Sequence, residues 1–103
     1  MTIRAVNPAN DEVVGEYEET APEEVERIVR AAHEAFLSWR DRPFTERAAL
    51  MRRAAVLRER AREFARLMAV EMGKPVKEGA SEVEKCASAC DFYAENAARF
   101  LAQ

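Results

Sequence analysis

The sequence has few of the residues that build metal sites and nucleophile sites. Its 103 residues include two cysteines, Cys86 and Cys90, and one histidine, His33. A structural zinc site needs four donors, and a reactive thiol needs a base or a cationic pocket beside it. The two cysteines lie four apart in a predicted helix, where their side chains are poorly matched for a disulfide. We therefore predict reduced thiols packed at a helix seam and a histidine without a catalytic role.

Glycine is also scarce, with three in the whole chain. The run Gly73-Lys74-Pro75 lacks the earlier glycines and the following serine or threonine of a phosphate-binding loop. The sequence contains no dinucleotide-binding glycine fingerprint, no nucleophile elbow and no metalloprotease helix. We therefore predict no catalytic, cofactor-binding or metal-binding residue in this chain.

Neither a long apolar run nor an excess of one charge is present. No stretch approaches the roughly 18 apolar residues of a membrane helix, and Asn7 and Pro8 interrupt any apolar leader near the start. Sixteen basic and nineteen acidic residues are interleaved, and glutamates interrupt the arginine-rich face of the second predicted helix. The sequence therefore predicts a cytoplasmic protein that binds neither nucleic acid nor membranes.

The residues that are present predict a single, partial domain over 1–103 that is mainly α. A short amino-terminal β-hairpin over 3–19 is followed by three helices over 21–40, 45–72 and 75–101, separated by turn and stop signals. Thr20 with Glu23 is expected to form a capping box, and Thr45 is expected to cap the second helix. Gly73 is expected to end the second helix in a left-handed conformation.

Apolar residues recur along each predicted helix at steps of three and four, so each helix has one apolar face. These faces are formed by Val25, Ile28, Val29, Ala32, Phe36 and Trp39; by Leu50, Ala54, Leu57, Ala61, Phe64 and Met68; and by Val76, Ala80, Val83, Ala87, Cys90, Ala94, Ala97 and Leu101. Further apolar residues lie off these faces, namely Ala55, Val56, Leu67, Val70, Phe92, Tyr93 and Phe100. One helix hairpin cannot cover all of them. The first helix and strands, another part of a larger protein, or self-association through the exposed faces would have to do so.

Five separated landmarks, in order, make the chain resemble the amino-terminal segment of the aldehyde dehydrogenase superfamily. The landmarks are Asn7-Pro8-Ala9 ahead of Val13-Val14-Gly15, the helix from Val25 to Trp39, Glu46-Arg47, the run Glu71-Met72-Gly73-Lys74-Pro75, and the stretch from Glu82 to Cys86 continuing through Cys90 to Ala97. The last of these is most similar to the succinate-semialdehyde dehydrogenase branch.

The resemblance implies the amino-terminal portion of an α/β fold without its Rossmann-like sheet. It implies that the parent enzyme oxidises an aldehyde, with succinate semialdehyde as the suggested substrate, to a carboxylate using NAD or NADP. The catalytic cysteine, glutamate and nucleotide site of the family lie downstream of Gln103, so the remainder of the subunit is the implied partner. The resemblance also places Ser81 and Lys85 at the wall of the substrate channel; otherwise, Lys85 is a surface lysine that pairs with Glu82.

Three hypotheses follow for the function. In the first, the chain is a fragment of an aldehyde dehydrogenase and is inactive alone. In the second, it is a free-standing helical interaction module that docks on a dehydrogenase subunit. The third, a small enzyme in its own right, is disfavoured because the sequence lacks an evident base, nucleophile pocket and phosphate loop.

Overall fold

A computed structural model describes residues 1–102, with Gln103 and the side chain of Ala55 outside the description. The predicted domain boundary at residue 103 and any packing of Ala55 therefore lie outside the described residues. The fold class is confirmed, because an antiparallel hairpin precedes three helical stretches. The elements are β1 (Thr2–Val6), β2 (Val13–Glu18), α1 (Pro22–Arg40), α2 (Phe44–Ala54), a 3-10 segment (Ala55–Arg60), α3 (Ala61–Met72) and α4 (Val76–Phe100).

The hairpin is closed by the loop that begins at Asn7. β1 and β2 pair in antiparallel register, with Ile3 opposite Tyr17, and the register shifts between Ala5 and Val6. The backbone N–H of Asn7 donates to the carbonyl of Glu12 at 2.8 Å. The Asn7 side-chain oxygen accepts a bond from the Ala9 N–H at 3.0 Å. These local bonds satisfy the loop backbone where the strands end.

Helix α1 begins one residue later than the predicted capping box requires. Its N-cap residue is Ala21, which has no side-chain acceptor, and Pro22 occupies the first turn. Thr20 therefore lies outside the cap position, and the prediction of a Thr20–Glu23 capping box is wrong. The helix start is instead favoured by the fixed φ of Pro22 and by acidic side chains in the first turn.

Helix α2, in contrast, begins ahead of its predicted cap. The carbonyl of Pro43 accepts the N–H groups of Glu46 at 3.1 Å and Arg47 at 3.2 Å. Thr45 therefore lies within the first turn, and its prediction as the cap is wrong.

The stretch from residue 45 to residue 72 is helical throughout, but it is not one α-helix. The central six residues, Ala55–Arg60, form a 3-10 helix. A 3-10 helix turns by about 120° per residue instead of about 100°, so six residues add roughly 120° of rotation. Leu50, before this segment, is 37% exposed, whereas Ala65, which follows it and lies at the edge of the predicted stripe, is completely buried.

Gly73 ends α3 as predicted. Its φ is +74°, and its N–H donates to the carbonyl of Ala69 at 3.0 Å. The ring of Pro8 lies directly beside it, because a Cβ placed on Gly73 would come within 2.9 Å of Pro8 Cγ. The hairpin loop thus packs on the corner between α3 and α4.

The core is the contact between α3 and α4. Ala65 on α3 and Val83 and Ala87 on α4 are buried. Gly79 is also buried, and a Cβ on it would lie 3.0 Å from Ala65 Cα. Small residues therefore allow the two backbones to approach closely, as expected, although Gly79 was not assigned to the seam from the sequence.

Helix α1 has no buried residue and packs extensively against no other element of residues 1–102. The molecule measures 52 × 39 × 19 Å and exposes 8347 Å². A compact monomer of this length exposes about 6,000 Å². The apolar face of α1 is half exposed along its length, at Val25, Ile28, Val29, Phe36 and Trp39.

No helix in the described part of the chain is both long and apolar enough to cross a membrane.

Candidate functional site

The residues predicted to line a substrate channel, Ser81 and Lys85, lie one turn apart on α4. Both are exposed, whereas Val83 and Ala87 of the same helix are buried against α3. The helical spacing places Ser81 and Lys85 on the face that points away from the core. The Ser81 hydroxyl donates to the carbonyl of Lys77 at 3.2 Å. It can still accept a hydrogen bond from outside the chain.

The pairing of Lys85 with Glu82 that local spacing suggested is not formed. Glu82 instead forms an ion pair with Lys74 across the corner between α3 and α4. None of the ion pairs formed within residues 1–102 includes Lys85. The structure therefore presents the Lys85 ammonium group to solvent, where it can attract an anion.

Phe92 lies two turns after Lys85 on the same exposed face of α4. Its ring centroid is 5.4 Å from that of Tyr93 in an edge-on arrangement and 6.0 Å from that of Phe100. All three rings are about half exposed. The outer face of α4 thus combines a hydroxyl group, a cation and an aromatic cluster, and sequence reasoning identified the aromatic residues only as uncovered surface.

Arg58 joins the 3-10 segment to the flank of α4. Its Nε donates to Glu84 at 2.9 Å, its Nη1 to Asp91 at 2.7 Å and its Nη2 to Ser88 at 3.2 Å. The hydrogen bond from Arg58 lowers the pKa of the Glu84 carboxyl group. The sequence interpretation treated Arg58 as part of a solvated mixed-charge face. The spacing of Glu84, Ser88 and Asp91 along one side of a helix is the signal that could have identified its partners.

A groove lies between α2 and the carboxyl-terminal half of α4, and we call it the Arg47 groove. It encloses about 400 Å³ and is lined chiefly by apolar and aromatic side chains, including Trp39, Phe44, Met51, Tyr93 and Leu101. The guanidinium of Arg47, which also lines the groove, lies 4.1 Å from the centre of the Phe44 ring. Its Nε is buried and has no hydrogen-bond partner among the described residues.

The cysteines and the histidine lie in apolar or exposed surroundings. Cys86 is exposed beside Val83 and the apolar residues of α3, and Cys90 is half-buried on the side of α4 that faces the other helices. His33 lies with its ring 6.1 Å from that of Phe36 on α1. Residues 1–102 contain no group of three or more His, Cys, Asp or Glu side chains placed to hold a metal ion.

The glycines do not fit a nucleotide site. Gly15 lies in β2, Gly73 ends α3, and Gly79 is buried against Ala65. A dinucleotide site uses glycines in a loop that opens a helix, so that backbone N–H groups reach the phosphates. The three glycines here instead lie in a strand, at a helix end and in the contact between α3 and α4.

The comparisons with known proteins agree on one family. The model of the aldehyde dehydrogenase family matches residues 1–103. The chain is 40% identical, over 99% of its length, to a probable NADP(+) succinate-semialdehyde dehydrogenase of Synechocystis sp., of which it covers 23%. It is 41% identical, over 93% of its length, to the NADP(+) succinate-semialdehyde dehydrogenase of Deinococcus radiodurans, of which it covers 20%. The chain therefore spans about a fifth of the length of these relatives.

The fold is likewise similar to part of a solved enzyme. The chain superposes with a TM-score of 0.88 and 29% identity on the succinic semialdehyde dehydrogenase of Streptococcus pyogenes, whose structure was determined in complex with NADP+. The match includes 95% of this chain and 22% of that protein. These matches confirm the resemblance that the five landmarks indicated, including its branch.

Proposed function

Because this chain belongs to the aldehyde dehydrogenase family, we propose that it forms the amino-terminal segment of a subunit that oxidises succinate semialdehyde to succinate with NADP+. The identity to two proteins named as NADP(+) succinate-semialdehyde dehydrogenases supports this substrate and this cofactor. In this proposal, the nucleotide site and the reacting groups belong to the remainder of the subunit, which is the main partner of this chain.

The exposed surface is the observation that carries the proposal. The 8347 Å² of exposed surface exceeds the surface of a compact monomer by an amount on the order of 2,000 Å². Many of the large apolar side chains that remain exposed belong to α1 and to α4. Large apolar patches on a soluble protein mark surfaces that another protein part covers. A role as a packed segment of a larger subunit explains the excess.

We propose that Ser81 and Lys85 lie at the wall of the substrate channel. The support is their position on the outer face of α4, together with the lack of an intramolecular ion pair for Lys85 within residues 1–102. A substrate with a carboxylate at one end and an aldehyde at the other would be attracted by the ammonium group. The role of Lys85 in this proposal is therefore to favour acidic aldehydes over uncharged ones.

A chimeric enzyme tests the proposal. The matching segment of the Synechocystis relative would be replaced by this chain, and the same enzyme without any replacement segment would serve as the control. We expect the chimera to produce NADPH from succinate semialdehyde, and we expect the deletion control and the isolated 103-residue chain to produce none. A stable but inactive chimera would contradict the subunit role, and NADPH production by the isolated chain would contradict its inactivity.

The exposed apolar faces also suit the second hypothesis, a free-standing module that docks on a dehydrogenase subunit. The two hypotheses differ in the partner that the chain recognises. A module would bind the complete Synechocystis enzyme added in trans, whereas a missing segment would find its site already filled. Co-migration of the chain with the complete enzyme in size-exclusion chromatography would favour the module.

A further inference from the structure

We propose that the Arg47 groove receives an apolar segment from the rest of the dehydrogenase subunit, and that this segment carries an aspartate or glutamate whose carboxylate pairs with Arg47. This inference rests on the proposed function, because it identifies one contact between this chain and the remainder of the subunit.

The hydrogen bonding of Arg47 is the first reason. Its Nε is withdrawn from solvent and has no acceptor in the described part of the chain. Burying a polar donor without a partner is unfavourable, and a guanidinium cannot relieve the cost by losing its proton. The stacking on Phe44 at 4.1 Å holds the plane of the guanidinium in place but supplies no hydrogen-bond acceptor. The Nε has no surface exposed to solvent, so an acceptor from another part of the subunit would reach the guanidinium through its terminal nitrogens instead.

The charge of the groove indicates which acceptor it would be. Its lining includes two arginines, Arg47 and Arg52, and no aspartate or glutamate. A carboxylate matches the planar fork of an arginine better than a neutral carbonyl does and forms shorter, stronger bonds with it. The groove is therefore complementary to an acidic side chain.

The side chains that line the groove indicate that the rest of the bound segment is apolar. Trp39 is 39% exposed, Tyr93 is 53% exposed and Leu101 is 63% exposed, although all three line the same groove. Aromatic residues and arginine are the side chains most enriched at the centres of protein interfaces. Because the matched region forms only 22% of the chain of the solved relative, most of a subunit lies outside this segment and can supply the occupant.

The test compares substitutions in the chimeric enzyme with the same substitutions in the isolated chain. Arg47→Met keeps an apolar stem and removes the charge, whereas Arg47→Lys keeps the charge. Arg53→Met, on the same helix but outside the groove, is the matched control. We expect Arg47→Met to lower the unfolding midpoint of the chimera clearly, Arg47→Lys to lower it less, and Arg53→Met to leave it unchanged. In the isolated chain, we expect Arg47→Met to shift the unfolding midpoint less than in the chimera, because only its contacts within this chain, such as the stacking on Phe44, are lost there.

A photo-crosslinking residue placed at Met51, inside the groove, gives a second measurement that does not depend on stability. We expect the crosslink in the chimera to join a segment downstream of residue 103 that contains an aspartate or glutamate. A crosslink only within this chain, or equal effects of Arg47→Met and Arg53→Met in the chimera, would overturn the inference and leave the proposed function standing. A chimera whose unsubstituted form is stable but inactive would instead contradict the proposed function.

Discussion

At the corner between α3 and α4, one backbone conformation holds three parts of the chain together. Gly73 has a φ of +74° and lies against the ring of Pro8 from the hairpin loop. Lys74, the next residue, forms an ion pair with Glu82 of α4. A side chain at position 73 would meet both a strained backbone and a neighbouring ring. The backbone conformation and the contact with Pro8 therefore favour glycine at position 73, whatever its solvent exposure.

We expect Gly73→Ala to destabilise the chain, because the left-handed conformation costs an L-residue about 1–2 kcal/mol and the new Cβ would also press on Pro8. Urea unfolding of the chimeric enzyme would measure the loss. Gly73→Asn separates the two causes, since asparagine tolerates the conformation but keeps the Cβ. If the Pro8 contact contributes, Pro8→Ala should recover part of the loss in the Gly73→Ala background. An unchanged unfolding midpoint for Gly73→Ala would contradict this account.

Lys85 is the residue whose substitution should change substrate preference. In the chimera, we expect Lys85→Ala to raise the KM for succinate semialdehyde by about two- to fivefold, the effect of losing one solvated charge pair. The KM for butyraldehyde, which has no carboxylate, should stay the same, as should kcat for both. Arg30→Ala on α1 is a control that removes an exposed cation elsewhere. Equal changes for the two aldehydes would contradict a role in attracting the carboxylate.

Single residues were predictable from the sequence where a local signal determined the outcome. Gly73 was identified because glycine before a Lys-Pro pair is a strong helix stop. The caps at Thr20 and Thr45 were wrong because α1 begins later than predicted, with Ala21 at its cap, and α2 begins earlier, at Phe44. The predicted pairing of Glu82 with Lys85 was also wrong, since the corner between α3 and α4 brings Lys74 to Glu82 instead. Arg47 was identified only as part of the Glu46-Arg47 landmark, because its burial depends on the groove between two separate helices.

Among the elements, the 3-10 segment accounts for most of the difference between the predicted and observed packing. A periodic pattern read at 100° per residue assumes one uniform helix from residue 45 to residue 72. The change of twist over Ala55–Arg60 rotates α3 relative to α2. Ala65, which the predicted stripe did not include, is the buried residue of α3. Residues of the predicted stripe still lie beside α4, namely Leu57, Phe64 and Met68. The apolar pattern predicted that each helix exists, but it did not predict the rotation of α3 relative to α2. That rotation depends on tertiary contacts such as those of Arg58.

The Arg58 contacts should make the link between the 3-10 segment and α4 dependent on pH. The pKa of Glu84 is lowered in the folded chain by its hydrogen bond from Arg58. A lowered acid pKa stabilises the fold above the unfolded-state value, about 4.3, and this contribution is lost as the pH falls through the folded-state value. Asp91 and Ser88 are the other side chains that face Arg58.

We therefore expect Arg58→Met to lower the thermal unfolding midpoint of the chimera at pH 7 and to have progressively less effect as the pH is lowered below about 4. Because the pair is exposed, added salt should also reduce the difference between the two proteins. Arg62→Met removes a neighbouring arginine from α3 and should have little effect at any pH. A difference between wild type and Arg58→Met that is the same at pH 7 and pH 3 would refute this assignment.

At the scale of the whole molecule, α1 is the element that most needs a partner. Its apolar residues form one face, as the sequence predicted, yet none of them is buried. The periodicity therefore predicted helix α1 and its apolar face but not what covers that face. In the proposed function, the remainder of the subunit covers it, so these 103 residues could not reveal the contact.

The isolated chain should consequently bind apolar dyes and associate with itself, because burying the face of α1 removes apolar surface from water. Analytical ultracentrifugation and 8-anilinonaphthalene-1-sulfonate fluorescence would measure both properties. Ile28→Glu with Phe36→Glu places charges on the exposed face, so this double variant should bind less dye and sediment at a lower mass. Arg30→Gln with Glu34→Gln, on the opposite face of the same helix, should leave both unchanged. Weak dye binding by the wild-type chain, together with a sharp unfolding transition independent of concentration, would show that the α1 face is stable in water without a partner.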